Sequence, residues 1–232
     1  FEALREKVYP VITKGKSNTE TLRIWTAGCS TGEEAYSMAI SLYEFLGDQA
    51  YRTKNQIFAT DISKKAISAA RHGIYTRTQL EGISDNRIQN FFTKIDGHYQ
   101  VNKPIRDMVV FASHDMLKDP PFAKMDLISC RNVLIYMENF LQKKVLNTFH
   151  YSLKDKGFLL LGKSETIGSL SNLFGPVDKH EKIFSKKDVP GRFTQSGVGR
   201  RETNFNETNK IPLTPDKVPP DFQKSDDDIL LQ

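Results

Sequence analysis

The sequence predicts an α/β protein with a doubly wound, mostly parallel sheet. Short apolar runs typical of strands alternate along the chain with segments of 3.6-residue apolar periodicity typical of helices. Several of the apolar runs end in small or charged residues, and a cluster of small residues follows the first of them. Alternating strands and helices form a parallel sheet with right-handed crossovers. Ligands then bind beyond the carboxyl ends of the strands.

The first strand–turn–helix unit is predicted at residues 22–47. An apolar run over 22–27 indicates a buried strand, the sequence GCSTG at 28–32 a tight turn, and a helix follows up to Gly47. Glycines let the main chain approach a ligand, and a helix start offers unpaired N–H groups. Glu33 and Glu34 favour a ligand that carries hydroxyls, an amine or a sulfonium over a pyrophosphate. Alternatively, both acids only complement the helix dipole.

The second strand is predicted over 56–61, QIFATD, and a helix follows from Ser63. An acidic residue at the tip of the second strand is where α/β nucleotide binders hold ribose hydroxyls, which makes Asp61 a candidate ligand-binding residue. The alternative is that Asp61 caps the helix that opens near Ser63.

The later elements are predicted in the same way. A β-rich excursion is expected at 73–106, and further strands are expected at 107–113, 126–130, 158–161 and 181–185. A helix after Tyr136 is expected to end at 154–157 and to bury Phe140, Leu141, Val145, Phe149 and Leu153.

The chain is expected to divide into three regions. Residues 1–13 have helical spacing that Pro10 ends, and we expect them to be the end of an N-terminal helical region that continues upstream. Residues 14–186 form the α/β domain. Five of the ten prolines follow residue 186, so 187–232 is predicted to be a flexible linker or tail. The final DDDILLQ resembles a helix start, and we expect a further domain downstream.

The composition limits which partners, compartment and metal sites are expected. The chain has net charge +5, and residues 1–186 hold 26 Lys/Arg against 20 Asp/Glu, a net +6, so an acidic partner is expected. No apolar run approaches about 18 residues, so no membrane insertion is expected. Cys29 and Cys130 each lie at the end of an apolar strand, which favours buried thiols in a reducing cytoplasm. The five histidines do not have the sequence spacing that is typical of metal ligands, so no metal site is expected.

Three motifs together resemble a known family. AGCSTGEEAYSMAI, FATDIS and above all DLISCRNVLIYM are similar to segments of the bacterial chemotaxis receptor glutamate methyltransferases, the CheR type, over about residues 1–186. The resemblance implies an S-adenosylmethionine-dependent enzyme that methyl-esterifies glutamates on the cytoplasmic signalling helices of chemoreceptors. It also implies a seven-stranded, Rossmann-like class I methyltransferase sheet with a small inserted β subdomain. The family's T-x-F-F-R arginine would precede the first helix, and a sensor or signalling domain is expected to be fused downstream.

The resemblance also assigns roles by position. The methionine end of the cofactor would be wrapped by Ala27, Gly28, Ser30, Thr31, Glu33 and Glu34. The ribose would contact Asp61, the adenine would lie near Asp115 and Met116, and Arg131 and Asn132 would line the pocket floor. Tyr136 would face the transferred methyl, so Tyr136 and Arg131 are the candidate catalytic residues. The other interpretation of Tyr136 is an aromatic residue packed at a strand-to-helix junction.

Two other functions compete with this one. DPPF at 119–122 is the signature of DNA adenine methyltransferases, which hold it at the tip of the fourth strand. Here Arg131 follows the fourth strand instead, so no nucleic-acid partner is expected. The second competitor is a degenerate module that binds S-adenosylmethionine or S-adenosylhomocysteine and regulates a multidomain signalling protein.

Overall fold

A computed structural model describes residues 1–16, 20–51 and 53–189. Of the predicted tail, only 187–189 falls within these ranges. The remainder of the tail prediction lies outside the described residues.

The described residues form ten strands and seven α-helices. The strands are β1 (Leu22–Ala27), β2 (Asn55–Asp61), β3 (Ile74–Tyr75), β4 (Phe92–Ile95), β5 (His98–Val101), β6 (Val109–Ser113), β7 (Met125–Cys130), β8 (Leu153–Leu161), β9 (Phe174–Asp178) and β10 (Ile183–Lys186). The helices are α1 (Glu2–Lys7), α2 (Tyr9–Thr13), α3 (Glu33–Leu46), α4 (Lys64–His72), α5 (Asp85–Phe91), α6 (Lys103–Asp107) and α7 (Asn139–Ser152). A short 3₁₀ helix, Leu134–Tyr136, lies between β7 and α7.

The larger sheet has seven strands in the order β6-β2-β1-β7-β8-β10-β9. Neighbouring strands from β6 to β8 run parallel, and β10 runs antiparallel to both β8 and β9. Numbered within this sheet, the order is 3-2-1-4-5-7-6. It is the doubly wound order with one antiparallel strand inserted near the edge. The predicted mostly parallel, seven-stranded sheet is confirmed.

Two apolar clusters cover opposite faces of this sheet, because successive side chains of a strand point to opposite sides. Ile24 of β1 belongs to the cluster that includes Met38 of α3. Its neighbour Trp25 belongs to the cluster that includes Phe149 of α7. The two long helices therefore lie on opposite faces, which leaves the strand ends open between them.

A smaller antiparallel sheet with the strand order β3-β5-β4 lies within residues 73–106. Its chain leaves the large sheet after α4 and returns through α6 to β6. The excursion therefore separates the second and third strands of the large sheet in sequence without entering the sheet.

The N-terminal helix differs from its prediction. Pro10 does not end a helix over 1–13. Two short helices occur, and Pro10 lies in the first turn of the second. A missing N–H group costs nothing in that turn, since the first N–H groups of a helix have no partner within it.

Helix α7 and the last strands also differ from their prediction. Phe140 was expected to be buried in α7 but is 73% exposed, because it lies in the first turn of the helix, before the face formed by Val145 and Phe149. The helix ends at Ser152, and Leu153 already belongs to β8. The helix α6 and the strand β9 were not predicted from the sequence.

Candidate functional site

A cavity of about 400 Å³ opens at the carboxyl ends of four parallel strands. Its volume falls within the roughly 300 to 1,000 Å³ typical of small-molecule sites. The lining residues follow β1 (Gly28, Ser30), β2 (Asp61, Ile62), β6 (His114, Asp115, Met116, Leu117, Lys118) and β7 (Asn132, Val133, Tyr136, Met137).

The turn after β1 forms one wall of this cavity. The N–H groups of Gly28 and Cys29 donate to the carbonyl of Thr60, at 2.7 and 2.9 Å, which ties the turn to the end of β2. Gly28 has φ +74°, and a Cβ atom added there would lie 2.4 Å from Cγ2 of Val133. The turn therefore packs against the loop after β7 so closely that only glycine fits.

The carboxylate of Asp61 fixes the same turn through hydrogen bonds with main-chain N–H groups. One carboxylate oxygen accepts the N–H of Ser30 at 2.9 Å, and the other accepts the N–H of Ser63 at 2.9 Å. The cap of α4 is Ser63 itself, whose hydroxyl accepts the N–H of Ala66. Asp61 is thus not the helix cap. An ionised carboxylate has about four acceptor sites, so two hydrogen bonds leave it capacity for ligand hydroxyls.

The segment after β6 presents a carboxylate and apolar side chains. Asp115 accepts the N–H of Leu117 at 2.9 Å, and its own N–H donates to Asp119 at 2.8 Å. Met116 and Leu117 line the cavity beside it. A purine base with an exocyclic amine would find a hydrogen-bond acceptor and apolar contacts here.

The DPPF segment has a structural role. Its aspartate, Asp119, closes the turn at Asp115, and Phe122 packs into an aromatic cluster with ring centroids 5.1 Å from Trp25 and 4.9 Å from Phe58. An aromatic ring engaged in this way is not free to stack on an extruded base.

Five predicted site residues are not among the described residues that line the cavity. Ala27 is buried in β1, and the hydroxyl of Thr31 donates to Glu33 at 2.7 Å. Glu34, in the first turn of α3, accepts a hydrogen bond from the hydroxyl of Ser129. The fifth residue is Arg131.

Glu34 and Arg131 form a pair, with Nη1 3.6 Å from Oε2. Burial raises the pKa of Glu34, and the hydrogen bond from Ser129 and the charge of Arg131 oppose that shift. Arg131 lines a smaller groove that also includes Phe1 and Lys163. The two candidate catalytic residues therefore line different pockets: Tyr136 lines the large cavity, and Arg131 lines the smaller groove.

Tyr136 lines the large cavity and is 84% exposed. It ends the 3₁₀ helix and is not packed at the strand-to-helix junction. Its hydroxyl is accessible to a substrate that approaches from solvent.

The cysteines near the site are not suited to nucleophilic chemistry. Burial raises the pKa of the Cys29 thiol to about 12, and burial also raises the pKa of Cys130. Thiolates, not thiols, are the nucleophiles, so both are unreactive at neutral pH. Within the described ranges, no group of three His, Cys, Asp or Glu side chains is arranged to hold a metal ion.

The sequence did not identify the apolar lining residues Ile62, Leu117, Val133 and Met137, nor the buried carboxylate of Glu165 behind the loop after β7. Glu165 lies in the segment GKSETIG after β8, in which it is the one acidic residue. A single acidic residue in a loop has no local pattern that indicates hydrogen bonds to a distant loop.

The seven-stranded order with its antiparallel strand, and a ligand cavity at the carboxyl strand ends, define a class I methyltransferase fold. The family described as "CheR methyltransferase, SAM binding domain" matches residues 1–183, and the chain belongs to this family. The resemblance inferred from the three motifs is confirmed.

Three relatives illustrate the match. "Putative methyltransferase Cher3" of Pseudomonas putida is 36% identical over 196 residues, which cover 80% of this chain and 69% of the relative. "Chemotaxis protein methyltransferase 1" of Pseudomonas aeruginosa is 37% identical over 182 residues, 76% of this chain and 66% of the relative. An "Uncharacterized 104.1 kDa protein" of Rhodobacter capsulatus is 36% identical over 79% of this chain, which spans only 19% of that protein.

None of the helices in the described part of the chain combines the length and the apolar character that a membrane span requires.

Proposed function

We propose that this chain carries the catalytic domain of a protein-glutamate O-methyltransferase that forms methyl esters on chemoreceptor signalling helices. The observation that supports this most strongly is the cavity at the strand ends, where the glycine turn, two carboxylates and an exposed tyrosine meet. Membership of the CheR family supports the choice of cofactor and substrate.

The residues present fit S-adenosylmethionine. Asp61 has acceptor capacity for ribose hydroxyls, and Asp115 offers an acceptor for the adenine amine beside the apolar side chains of Met116 and Leu117. The main chain of the turn at Gly28 and Ser30 would hold the methionine end of the cofactor. The cofactor supplies an electrophilic methyl group.

The substrate carboxylate needs no general base. A glutamate side chain has a reference pKa of about 4.3 and is already ionised at neutral pH. The task left to the protein is alignment of the reacting groups in a water-poor site. Tyr136, exposed at the cavity, donates a hydrogen bond that orients this carboxylate. Arg131, held by Glu34, attracts the carboxylate from the neighbouring groove.

We place the protein in the cytoplasm, where the signalling helices of chemoreceptors lie. Cys29 and Cys130 are both free and buried, which suits a reducing compartment. The net charge of +6 over residues 1–186 favours encounter with glutamate-rich helices.

Asp61→Ala is expected to weaken S-adenosylhomocysteine binding by about 1–3 kcal/mol, because ribose hydroxyls lose their acceptor. Isothermal titration calorimetry measures the effect. Ser63→Ala is the matched control, since it removes the cap of α4, worth about 1 kcal/mol of stability, and leaves the carboxylate in place. Equal affinity of wild type and Asp61→Ala would remove Asp61 from the binding site.

The methyl-transfer step is expected to depend only weakly on pH above about 6, because the attacking carboxylate is already ionised. Raising salt is expected to slow the overall reaction by screening the encounter. Single-turnover rates with receptor fragments at several pH and salt values measure both effects. A steep rise of the chemical step between about pH 6 and 8 would indicate a titrating base and contradict the proposal.

A further inference from the structure

The side chain of Glu165 lies behind the loop after β7 and is only 3% exposed. One of its oxygens accepts the N–H groups of Val133 and Leu134, at 2.8 and 2.7 Å. The other accepts those of Asn132 and Gly162, at 3.1 and 2.6 Å. Four main-chain donors thus replace the water that a carboxylate would otherwise bind.

Two of these four donors belong to residues that line the large cavity, and Leu134 follows them directly in the chain. Asn132 and Val133 line the cavity, and Asn132 has the left-handed φ of +58°. The carbonyl of Val133 accepts the N–H of Tyr136 at 3.2 Å, which starts the 3₁₀ helix that presents the tyrosine. The carboxylate of Glu165 therefore fixes the backbone from which the candidate catalytic tyrosine extends.

The same loop sets the width of the cavity. The side chain of Val133 presses against Gly28, where an added Cβ would lie 2.4 Å away. A shift of the loop would move Val133 relative to the glycine turn. Glu165 is linked through its hydrogen bond with the Val133 N–H to the contact between the walls formed after β1 and after β7.

The end of β8 is shaped to admit this carboxylate. A Cβ atom added at Gly162 would lie 2.7 Å from Oε2 of Glu165 and 2.7 Å from Oδ1 of Asn132. Glycine at this position lets Glu165 and the loop approach each other.

We propose that Glu165 is a positioning residue that holds the loop over 131–137 in the conformation that binds the cofactor and orients Tyr136. The identity of the ligand rests on the proposed function. The role of the carboxylate in holding the loop rests on its four hydrogen bonds.

The test is Glu165→Gln in the full chain. Glutamine keeps the size of the side chain but turns one acceptor oxygen into an NH₂ donor that faces two N–H groups. Amide hydrogen exchange at 132–134 is expected to quicken in the ligand-free protein. Affinity for S-adenosylhomocysteine, measured by calorimetry, is expected to fall by about tenfold or more, because buried donors lose their acceptor.

Asp126→Asn is the matched control. Asp126 is another buried carboxylate, 6% exposed, but it lies at the opposite end of β7 from the cavity, where it accepts from Lys16 at 2.9 Å and from Lys154 at 3.0 Å. This variant is expected to lower the melting temperature and to leave the affinity for S-adenosylhomocysteine unchanged. An equal loss of affinity in both variants would mean general destabilisation and would overturn the positioning role.

Gly162→Ala is a second variant, which keeps the Glu165 carboxylate but displaces it through a steric clash with the added methyl group. It is expected to weaken S-adenosylhomocysteine binding and to quicken exchange at 132–134 as Glu165→Gln does. Wild-type affinity and exchange in both variants would overturn the proposal. If the wild-type chain bound no S-adenosylhomocysteine, the proposed function would fail, and the exchange rates at 132–134 would still decide whether Glu165 holds the loop.

Discussion

Replacement of Gly28 by alanine is expected to abolish detectable S-adenosylhomocysteine binding and to cost about 2–5 kcal/mol of stability. The methyl group would lie 2.4 Å from Cγ2 of Val133, and the backbone at φ +74° is strained for any residue with a Cβ. The estimate combines about 1–2 kcal/mol for a left-handed residue with about 1–3 kcal/mol for overpacking. Relief of the clash would also move the loop after β7, which forms the facing wall of the cavity.

Gly15→Ala is the control for backbone strain alone. Gly15 has nearly the same φ, +73°, but nothing lies within 4 Å of an added Cβ. It is expected to lose only the strain contribution and to bind S-adenosylhomocysteine as wild type does. Calorimetry and urea unfolding measure the two effects. Normal binding by Gly28→Ala would contradict the assignment of this turn to the site.

Replacement of Trp25 by alanine is expected to cost about 3–5 kcal/mol, as is typical of large aromatic residues removed from a core. Trp25 is fully buried, and its indole N–H donates to the hydroxyl of Thr60 at 2.9 Å. Its ring meets those of Phe122 and Phe149 at centroid distances of 5.1 and 5.3 Å. The cluster joins β1 to α7 and to the segment after β6.

Phe140→Ala is the comparison within the same domain. Phe140 is 73% exposed, so the change is expected to stay within about 0.5 kcal/mol. Urea unfolding monitored by circular dichroism measures both variants. A loss below about 1 kcal/mol for Trp25→Ala would show that the aromatic cluster contributes little, contrary to the usual cost of such cavities.

The strand tips were predictable from the sequence because their signals are local. The GCSTG turn follows an apolar run, and Asp61 ends the next run, so parallel topology alone brings the two together. Hydrogen bonds from the turn to Thr60 and Asp61 show how this meeting is fixed.

The edge of the sheet was not predictable in the same way. β9 has the sequence FGPVD, in which Gly175 and Pro176 weaken the strand signal. Proline is tolerated there because, among the strands that the structure describes, β9 is at the edge of the sheet next to β10. The helix α6 is five residues long with a proline in its first turn, too short for a periodic pattern.

The contacts that shape the site were also hidden, because they join residues distant in sequence. Glu34 meets Ser129 across 95 residues, and Glu165 meets Val133 across 32. Neither pair has a local signature. The position of Glu34 in a motif predicts a cofactor contact, but it does not show that the Glu34 carboxylate also contacts Ser129 and Arg131.

The most direct test of the proposed function is transfer of labelled methyl groups from S-adenosylmethionine to the cytoplasmic fragment of a chemoreceptor. The protein that contains this chain is compared with its Asp61→Ala variant, and the receptor fragment with one whose glutamates are replaced by alanine. We predict that the glutamate-containing fragment becomes labelled and that mild alkali releases this label, as expected for a methyl ester. The label is expected to be strongly reduced with the Asp61→Ala variant and on the fragment whose glutamates are replaced by alanine. Label that survives mild alkali, or S-adenosylhomocysteine binding without any transfer to the receptor, would contradict glutamate methylation.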